Sequence, residues 1–259
     1  MTLSSLTLAA LAGAGAALLT GLLPSAVYHA PPAKPAGTQP TTQVVLQGRT
    51  LDLRALTVQT CMLPPGQASR PRPAGAEELL IVQEGQLAAT LHDTTTTLGP
   101  GGMLLAPGGA PPALRNTTAA PARYWVLQFK ATGAAGPAAG PASRAFARDW
   151  PAFTVTKTDK GETRPVFDRP SPMFPRFDVH ATVLNPGRAS HPPHTHRTEE
   201  IVLMTRGQGE MQIDGHTYPA AAGDVILLEA NVPHAFTNNS PAACGYFAIQ
   251  WHSPAEQAK

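Results

Sequence analysis

Four residues in the second half of the chain have the side chains and spacing of a metal site: His194, His196, Glu200 and His234. Residues two apart on a β-strand lie on the same face, so the imidazoles of His194 and His196 can converge while Thr195 points away. Glu200 precedes an apolar run, where a bend between strands would turn its carboxylate toward the same point. His234 follows a second apolar run and a turn, and we expect the closing of a β-structure to bring it opposite the first pair.

Three neutral imidazoles and one carboxylate suit a divalent ion such as Mn, Fe, Co, Ni, Cu or Zn, with positions left for substrate or water. We expect one ion per chain, with Mn or Fe favoured. Any one of these histidines alone is more simply a surface or core residue. The chain has nine histidines, however, and four of them, including His191, fall at or beside this one constellation, which favours the metal site.

Three further side chains are predicted to line the pocket beside the metal. Strand alternation starting from Glu200 directs Val202 and Met204 into the same interior, although both residues could equally be ordinary core. Gln212 is a polar residue in the strand-like run Glu210 to Ile213, so one face of that run is expected to border the cavity.

Two histidines outside the ligand set are candidate catalytic residues. His180 lies in the strand-like run Phe177 to Leu184 and is predicted to face the cavity. His191, three residues before the first ligand, could transfer protons because an unperturbed imidazole titrates near neutral pH. The alternative for His191 is a histidine on a loop surface.

The elements that must position these residues read as short β-strands. Hydrophobic residues make up 42% of the chain and charged residues 14%, and the 23 glycines and 28 prolines punctuate the apolar runs at short intervals, which is typical of an all-β protein. Asp214-Gly215, between two strand-like runs, predicts a two-residue hairpin turn. The net charge is only +2 and no basic cluster occurs, which argues against nucleic acid and favours a small-molecule partner.

The two halves of the chain repeat one pattern, which indicates two copies of one β-domain. Both copies have Pro-Gly, then Glu-Glu, an apolar run and Gly, then a further Gly, a second apolar run and Asn. The interval from the second Glu to the first of these Gly residues is the same in both copies. The matched positions are Pro65-Gly66 with Pro186-Gly187, Glu77-Glu78 with Glu199-Glu200, Gly85 with Gly207, Gly101 with Gly223, and Asn116 with Asn238.

The predicted domains are separated by a linker. The run from Ala131 to Ser143 consists almost entirely of Ala, Gly and Pro, with no apolar period and no side chain that could anchor a core. We therefore predict a tail over 1–43, a first domain over 44–130, a linker over 131–149, a second domain over 150–253 and a C-terminal tail over 254–259.

The second half resembles the cupin family. Gly187, His194-Thr195-His196, Glu200 and Gly207 are similar to the first cupin motif, and Gly223, His234 and Asn238 to the second. Glu229 and Asn231 depart from the proline and glycine usual there, but asparagine tolerates the positive φ of such a turn. The resemblance implies an all-β bicupin of two tandem double-stranded β-helix (jelly-roll) barrels.

The first copy keeps the scaffold and loses the ligands. Arg72, Ala74 and Pro112 stand where the second copy has its three histidines, and only Glu78 remains. We therefore predict that the first domain binds no metal and has a structural role. Arg72 either binds an anionic group through its guanidinium or pairs with Glu78.

The resemblance implies a metal-dependent enzyme that acts on a small polar substrate bearing a carboxylate or hydroxyl group, with oxidoreductase (dioxygenase-type) or decarboxylase-type chemistry. One alternative is a hydrolase similar to the ureidoglycine aminohydrolases, which are also bicupins in which only one domain is active. Their manganese ligands are Glu, His, His and Gln, a different set. Another alternative is a ligand-binding cupin without activity, but a complete ligand set is superfluous for simple capture. The sequence leaves homo-oligomerisation open.

The N-terminal run Leu8 to Leu23 is almost wholly Ala, Leu and Gly and resembles the apolar region of a secretory signal. It lacks both a basic residue near Met1 and a clean small-x-small cleavage site. Export to a periplasmic or extracellular location is expected, or a cytoplasmic location if the run is not a signal. No stable membrane span is expected, because the run is shorter than the ~20 residues a bilayer requires. Cys61 and Cys244 are predicted to be ordinary strand residues, with a disulfide between them as the alternative.

Overall fold

The computed structural model describes residues 21–32, 37–91, 93–108, 111–133 and 144–256. Within these ranges the chain is all-β, as predicted, with short 3-10 turns at Trp150–Ala152 and Pro254–Glu256 and no α-helix. The strands are β1 (Ala26–Tyr28), β2 (Thr41–Gly48), β3 (Leu53–Leu63), β4 (Glu77–Glu84), β5 (Leu87–Leu91), β6 (Thr94–Leu98), β7 (Met103–Ala106), β8 (Leu114–Arg115), β9 (Ala122–Ala131), β10 (Phe146–Arg148), β11 (Thr156–Thr158), β12 (Gly161–Arg169), β13 (Arg176–Leu184), β14 (Glu199–Arg206), β15 (Gln208–Ile213), β16 (His216–Ala221), β17 (Val225–Leu228), β18 (His234–Thr237) and β19 (Cys244–His252).

Each half of the molecule is formed by one large and one small antiparallel sheet. The first half has the strand orders β10-β7-β4-β9-β3-β2 and β6-β5-β8, and the second half has β1-β17-β14-β19-β13-β12-β11 and β16-β15-β18. In each half the described strands form two separately hydrogen-bonded sheets rather than one continuous cylinder. The two sheets bury their facing side chains against each other, as in a jelly roll.

The hydrophobic core has three parts, because the central strands of the large sheets, such as β4 and β14, are buried on both faces. Along β14, Ile201 and Leu203 point into a cluster shared by the two halves, whereas Val202 and Met204 point into the interior of the second half. A corresponding cluster fills the first half. The shared cluster contains aromatic side chains from both halves, including Phe129 from the first and Phe177 from the second, whose ring centroids are 5.4 Å apart.

The internal repeat is confirmed by equivalent hydrogen bonds in the two halves. Asn116 donates its side-chain amide to the carbonyls of Leu63 and Ala120, and Asn238 makes the corresponding bonds to Leu184 and Ala242. The repeated asparagine therefore closes the same loop in each half, which is a scaffold function. The predicted hairpin is also confirmed, since β15 pairs with β16 across a turn in which Asp214 has φ 47° and Gly215 has φ 78°.

Three segments extend the two domains beyond the bounds predicted from the sequence. Within the N-terminal segment, β1 pairs with β17 of the second half, and β2 begins at Thr41. At the other boundary, β10 pairs with β7 of the first half. β1 and β10 are only three residues long, and β2 has a single buried residue, Leu46. All three strands lie at sheet edges, so none of them forms a core of its own.

Part of the predicted N-terminal run and most of the predicted linker lie outside the described residues. Of the apolar run, residues 21–23 are described; Leu22 is exposed and Leu23 is buried in the shared core. None of the helices among the described residues has the length and hydropathy needed to cross a membrane. Cys61 and Cys244 are both buried free cysteines, so the disulfide alternative was wrong.

Candidate metal centre

The three predicted histidine ligands lie together in the second half. His194 and His234 face each other across an isolated antiparallel bridge, with N–O distances of 3.1 and 3.0 Å. His196 follows two residues later in the same loop, and its carbonyl accepts a hydrogen bond from the Asn231 amide at 2.7 Å. One ring nitrogen from each of the three histidines lies within 4.8 Å of the others. The backbone thus holds the ligands from two distant segments in one cluster.

Backbone carbonyls set the tautomers of these histidines. The Nδ1 atom of His196 lies 2.6 Å from the carbonyl of Thr198, and the Nδ1 atom of His234 lies 2.8 Å from that of Val232. The Nδ1 atom of His194 lies 3.3 Å from the His234 carbonyl. Because a carbonyl oxygen only accepts, each Nδ1 must carry a proton, which leaves Nε2 of each ring as the nitrogen that could bind a metal.

Glu200 brings a carboxylate to the same point. Its Oε2 lies 3.1 Å from Nε2 of His196 and 3.8 Å from Nε2 of His234, and it accepts a hydrogen bond from the Gln250 side chain at 3.0 Å. The Nε2 atom of His234 is buried and has no hydrogen-bond partner among the described residues. A buried nitrogen without a partner, facing two more imidazoles and a carboxylate, fits a divalent metal ion.

The charges of these groups agree with a site that holds a cation. Burial would raise the pKa of Glu200, but hydrogen bonds from His196 and Gln250 outweigh it and lower that pKa. The hydrogen bond to Glu200 raises the pKa of His196, whereas burial lowers the pKa of His234. The carboxylate is therefore ionised, and either a proton or a metal must lie between it and His196.

A cavity of about 460 Å³ opens beside the cluster. It is bordered by His194, Glu200 and His234, by the predicted pocket residue Val202, and by His180 and His191, the two histidines predicted as catalytic. His194 is exposed, whereas Glu200 and His234 are buried. The side of the candidate metal position that is formed by His194 is therefore the side open to the cavity. The cluster is thus accessible to a small molecule from one side.

The two histidines predicted as catalytic both border this cavity. The ring of His191 contacts that of His194, with centroids 3.9 Å apart, and burial lowers its pKa. The Nδ1 atom of His180 lies 3.6 Å from an oxygen of Asp178. His191 is therefore beside the ligand cluster, whereas the described contact of His180 is with Asp178.

Two of the predicted pocket residues do not border the cavity. Met204 is fully buried in the hydrophobic cluster of the second half. Along β15 the buried residues are Gly209, Met211 and Ile213. Met211 therefore faces the cavity and Gln212 the opposite side. Strand periodicity was correct, but the sequence did not reveal which of the two alternating faces of β15 points inward.

Sequence reasoning missed Lys160 and Gln250. Lys160 lies in the turn between β11 and β12, borders the cavity, and donates its ammonium group to the Ser190 carbonyl at 2.8 Å. Gln250 is paired in register with Glu200 across β14 and β19. The internal repeat carried a signal for this glutamine, because Gln128 is paired with Glu78 in the same way.

Two regions of the chain, 59–127 and 181–249, match the family model described as the cupin domain, and together they cover more than half of the chain. The chain belongs to the cupin family. No curated protein sequence matches it.

Several solved structures share the arrangement of two cupin domains. A putative glyoxylate-induced protein from Pseudomonas aeruginosa is 22% identical, with a TM-score of 0.66 over 81% of this cupin and 78% of that chain. The formate complex of oxalate decarboxylase from Lactobacillus farciminis is 12% identical, with a TM-score of 0.67 over 90% and 88%. AerE from Microcystis aeruginosa is 15% identical, with a TM-score of 0.64 over 86% and 99%. At these identities the likeness shows the fold alone.

The first domain of this cupin fills the equivalent position with a guanidinium group. Arg72 donates to Glu78 at 2.7 Å, to Ser69 at 3.2 Å and to the Pro112 carbonyl at 3.3 Å. Gln128 donates to the other oxygen of Glu78 at 3.2 Å. Of the two alternatives for Arg72, the structure therefore shows pairing with Glu78, and the cation that the buried carboxylate requires comes from the chain itself.

Proposed function

We propose that this cupin is a mononuclear metal-dependent enzyme that acts on a small polar substrate bearing a carboxylate or hydroxyl group, by oxidoreductase-type or decarboxylase-type chemistry. One observation carries the proposal: three imidazoles, each with its Nδ1 proton held by a backbone carbonyl, converge with Glu200 at an open cavity. His194, His196, Glu200 and His234 would hold the ion. A bound divalent metal would supply Lewis acidity or redox capacity to a substrate in the cavity.

Lys160 is the basic residue of the cavity wall that would bind an anionic substrate, and the wall also contains the acidic side chains of Asp159, Glu162 and Glu200. Lys160 uses one of its three ammonium donors on Ser190, which leaves two for a ligand. Glu162, also in the wall, is paired with Arg164 at 3.1 Å, so it opposes a negative ligand less than a free carboxylate would. The oxalate decarboxylase that shares the fold is named for a small carboxylic acid, and its structure is a complex with formate.

His191 is the candidate proton-transfer group. Burial lowers its pKa, so the imidazole is neutral at pH 7 and can accept a proton from a substrate in the cavity. Its contact with His194 keeps it beside the metal position. Replacement of His191 by Gln is expected to lower turnover while the bound metal is retained.

Metal analysis of the natively purified chain tests the site. We expect about one divalent ion per chain, as a single mononuclear site implies, and loss of that ion in His234→Gln. His216→Gln is the matched control, because His216 is exposed and bonds to the backbone of Asp214 outside the cluster. Equal metal content in both variants would falsify the proposed ligand set.

Screening of the metal-loaded protein with small carboxylic and hydroxy acids, oxalate among them, tests the reaction. Oxygen consumption would indicate oxidoreductase chemistry, and carbon dioxide release without net oxygen consumption would indicate decarboxylation. Release of ammonia from ureides instead would replace the proposal by the hydrolase. Full metal loading with ligand binding but no turnover would replace it by the ligand-binding cupin.

A further inference from the structure

An ion pair between the domains lies directly beside the metal ligands. Arg197, the residue after His196, donates from both terminal nitrogens to the two carboxylate oxygens of Asp52 in the first domain, each at 2.8 Å. Asp52 is fully buried. A bidentate guanidinium–carboxylate pair fixes distance and orientation together, so it restrains the backbone at Arg197 more than a single contact would.

A second contact between the domains lies two residues further on. The buried carboxylate of Glu199 accepts hydrogen bonds from the Thr50 hydroxyl, from the Leu51 amide at 2.9 Å and from the Asp52 amide at 3.3 Å. It also accepts one from the Trp251 indole at 3.1 Å. The turn over residues 50–52, which we call the anchoring turn, therefore holds both Arg197 and Glu199.

The residue between these two anchors orients a metal ligand. Thr198 is buried, and its carbonyl accepts the Nδ1 proton of His196 at 2.6 Å. Glu200, which follows Glu199, is itself a proposed ligand. We infer that the anchoring turn of the first domain positions the ligands of the second domain, and that Asp52 is a positioning residue for the metal centre. This inference rests on the proposed function.

The repeat provides an internal comparison. In the mirrored contact Glu77 of the first domain accepts a hydrogen bond from the Met173 amide of the second domain at 2.7 Å. That contact lacks the ion pair, because Gly75 stands where the second domain has Arg197. The bidentate pair thus occurs beside the domain with the histidine ligands and is missing beside the domain without them.

The test compares Asp52→Asn with Glu77→Gln in the full-length chain. Both variants remove one buried carboxylate from a contact between domains, but only Asp52 restrains the segment that carries the ligands. We expect Asp52→Asn to weaken Mn²⁺ binding, measured by calorimetric titration of the metal-free protein, by about tenfold, the low end for groups that orient metal ligands. Glu77→Gln should leave the Mn²⁺ dissociation constant within about twofold of wild type, because its contacts do not reach the ligands.

Amide hydrogen exchange of the metal-free proteins is the second measurement. We expect exchange over residues 196–200 to be faster in Asp52→Asn than in Glu77→Gln at equal global stability. Equal Mn²⁺ affinity and equal local exchange in the two variants would overturn the inference. If wild type binds no Mn²⁺, the proposed metal role of the site fails, and the exchange comparison alone decides whether the anchoring turn orders this segment.

A further variant keeps the inference testable if Asp52→Asn does not fold. Arg197→Gln removes the partly exposed member of the pair and leaves the anchoring turn intact. It should also weaken Mn²⁺ binding and accelerate exchange over the same residues. Wild-type affinity and exchange in a folded Arg197→Gln protein would overturn the inference as well.

Discussion

At the scale of single residues, the two domains differ in what neutralises one buried carboxylate. Glu78 and Glu200 hold equivalent positions, and each accepts a hydrogen bond from a glutamine on the neighbouring strand. Arg72 supplies the positive charge in the first domain, and in the second domain a proton or metal between His196 and Glu200 would supply it. A buried ion pair is strongly destabilised when one partner is removed, so Arg72 is expected to stabilise the first domain, which has no histidines at this position.

Replacement of Arg72 by Met should therefore destabilise the protein. It leaves the buried carboxylate of Glu78 without its ion pair, and the expected loss is about 3 kcal/mol of unfolding free energy, measured by urea denaturation. The double variant Arg72→Met with Glu78→Gln should recover part of that loss, because no charge is then left buried. A single variant as stable as wild type would contradict the assigned role.

The metal affinity should depend on pH through His196. Its pKa is raised from 6.5, first by the hydrogen bond to Glu200, and a metal must displace that proton. Affinity should therefore be constant well above this pKa and fall as the pH is lowered through it, by up to about tenfold per pH unit for one displaced proton. Titrations with Mn²⁺ between pH 5.5 and 8.5, roughly the range in which histidine changes charge, measure the slope. A flat profile would exclude proton displacement from His196.

At the scale of elements, the turns between strands depend on glycines that fix how one strand follows the next. Gly207 links β14 to β15 with φ 70°, and a Cβ there would lie 2.9 Å from the Cα of Cys244. Gly215 in the hairpin between β15 and β16 has φ 78°, but a Cβ there would meet nothing within 4 Å. Gly207 is needed both for its positive φ and for the close approach of Cys244, whereas Gly215 is needed for its positive φ alone.

These two glycines give a matched pair of variants. Gly215→Ala should cost about 1–2 kcal/mol of unfolding free energy, the strain of an alanine at positive φ. Gly207→Ala should cost roughly 1–3 kcal/mol more, because the new methyl group also overlaps backbone. Thermal or urea unfolding of both variants measures the difference, and equal losses would show that the close approach to Cys244 is relieved without cost.

At the scale of the whole molecule, the two domains share one hydrophobic cluster. Phe129 of the first domain packs against Phe174, Phe177 and Trp251 of the second, and all four side chains are fully buried. Isolated halves would expose this surface to water. The domains are therefore expected to unfold as one cooperative unit.

Replacement of Phe129 by Ala should destabilise both domains together. The expected loss is about 4 kcal/mol, from the buried aromatic surface and the cavity left behind. Native-state hydrogen exchange should show equal losses of protection in β4 of the first domain and β14 of the second. A loss confined to β4 would show that the domains unfold independently.

The sequence by itself determined the all-β class, the repeat, the hairpin at Asp214-Gly215 and the four candidate ligands. These features depend on local chemistry: turns require particular residues, strands alternate with a period of two, and ligand types are few. The comparison of the two repeats also pointed to the partner of Glu78, because Arg72 stands where the second copy has the ligand His194.

Tertiary structure alone decided which residues border the cavity and what the first domain contacts. Met211 faces inward where Gln212 was expected, because periodicity defines two faces without stating which one is buried. Lys160 enters the cavity wall from a turn, and Asp52 contacts Arg197 from the other domain. Such contacts join residues far apart in the chain, and they arise only when sheets pack, so no local pattern encodes them.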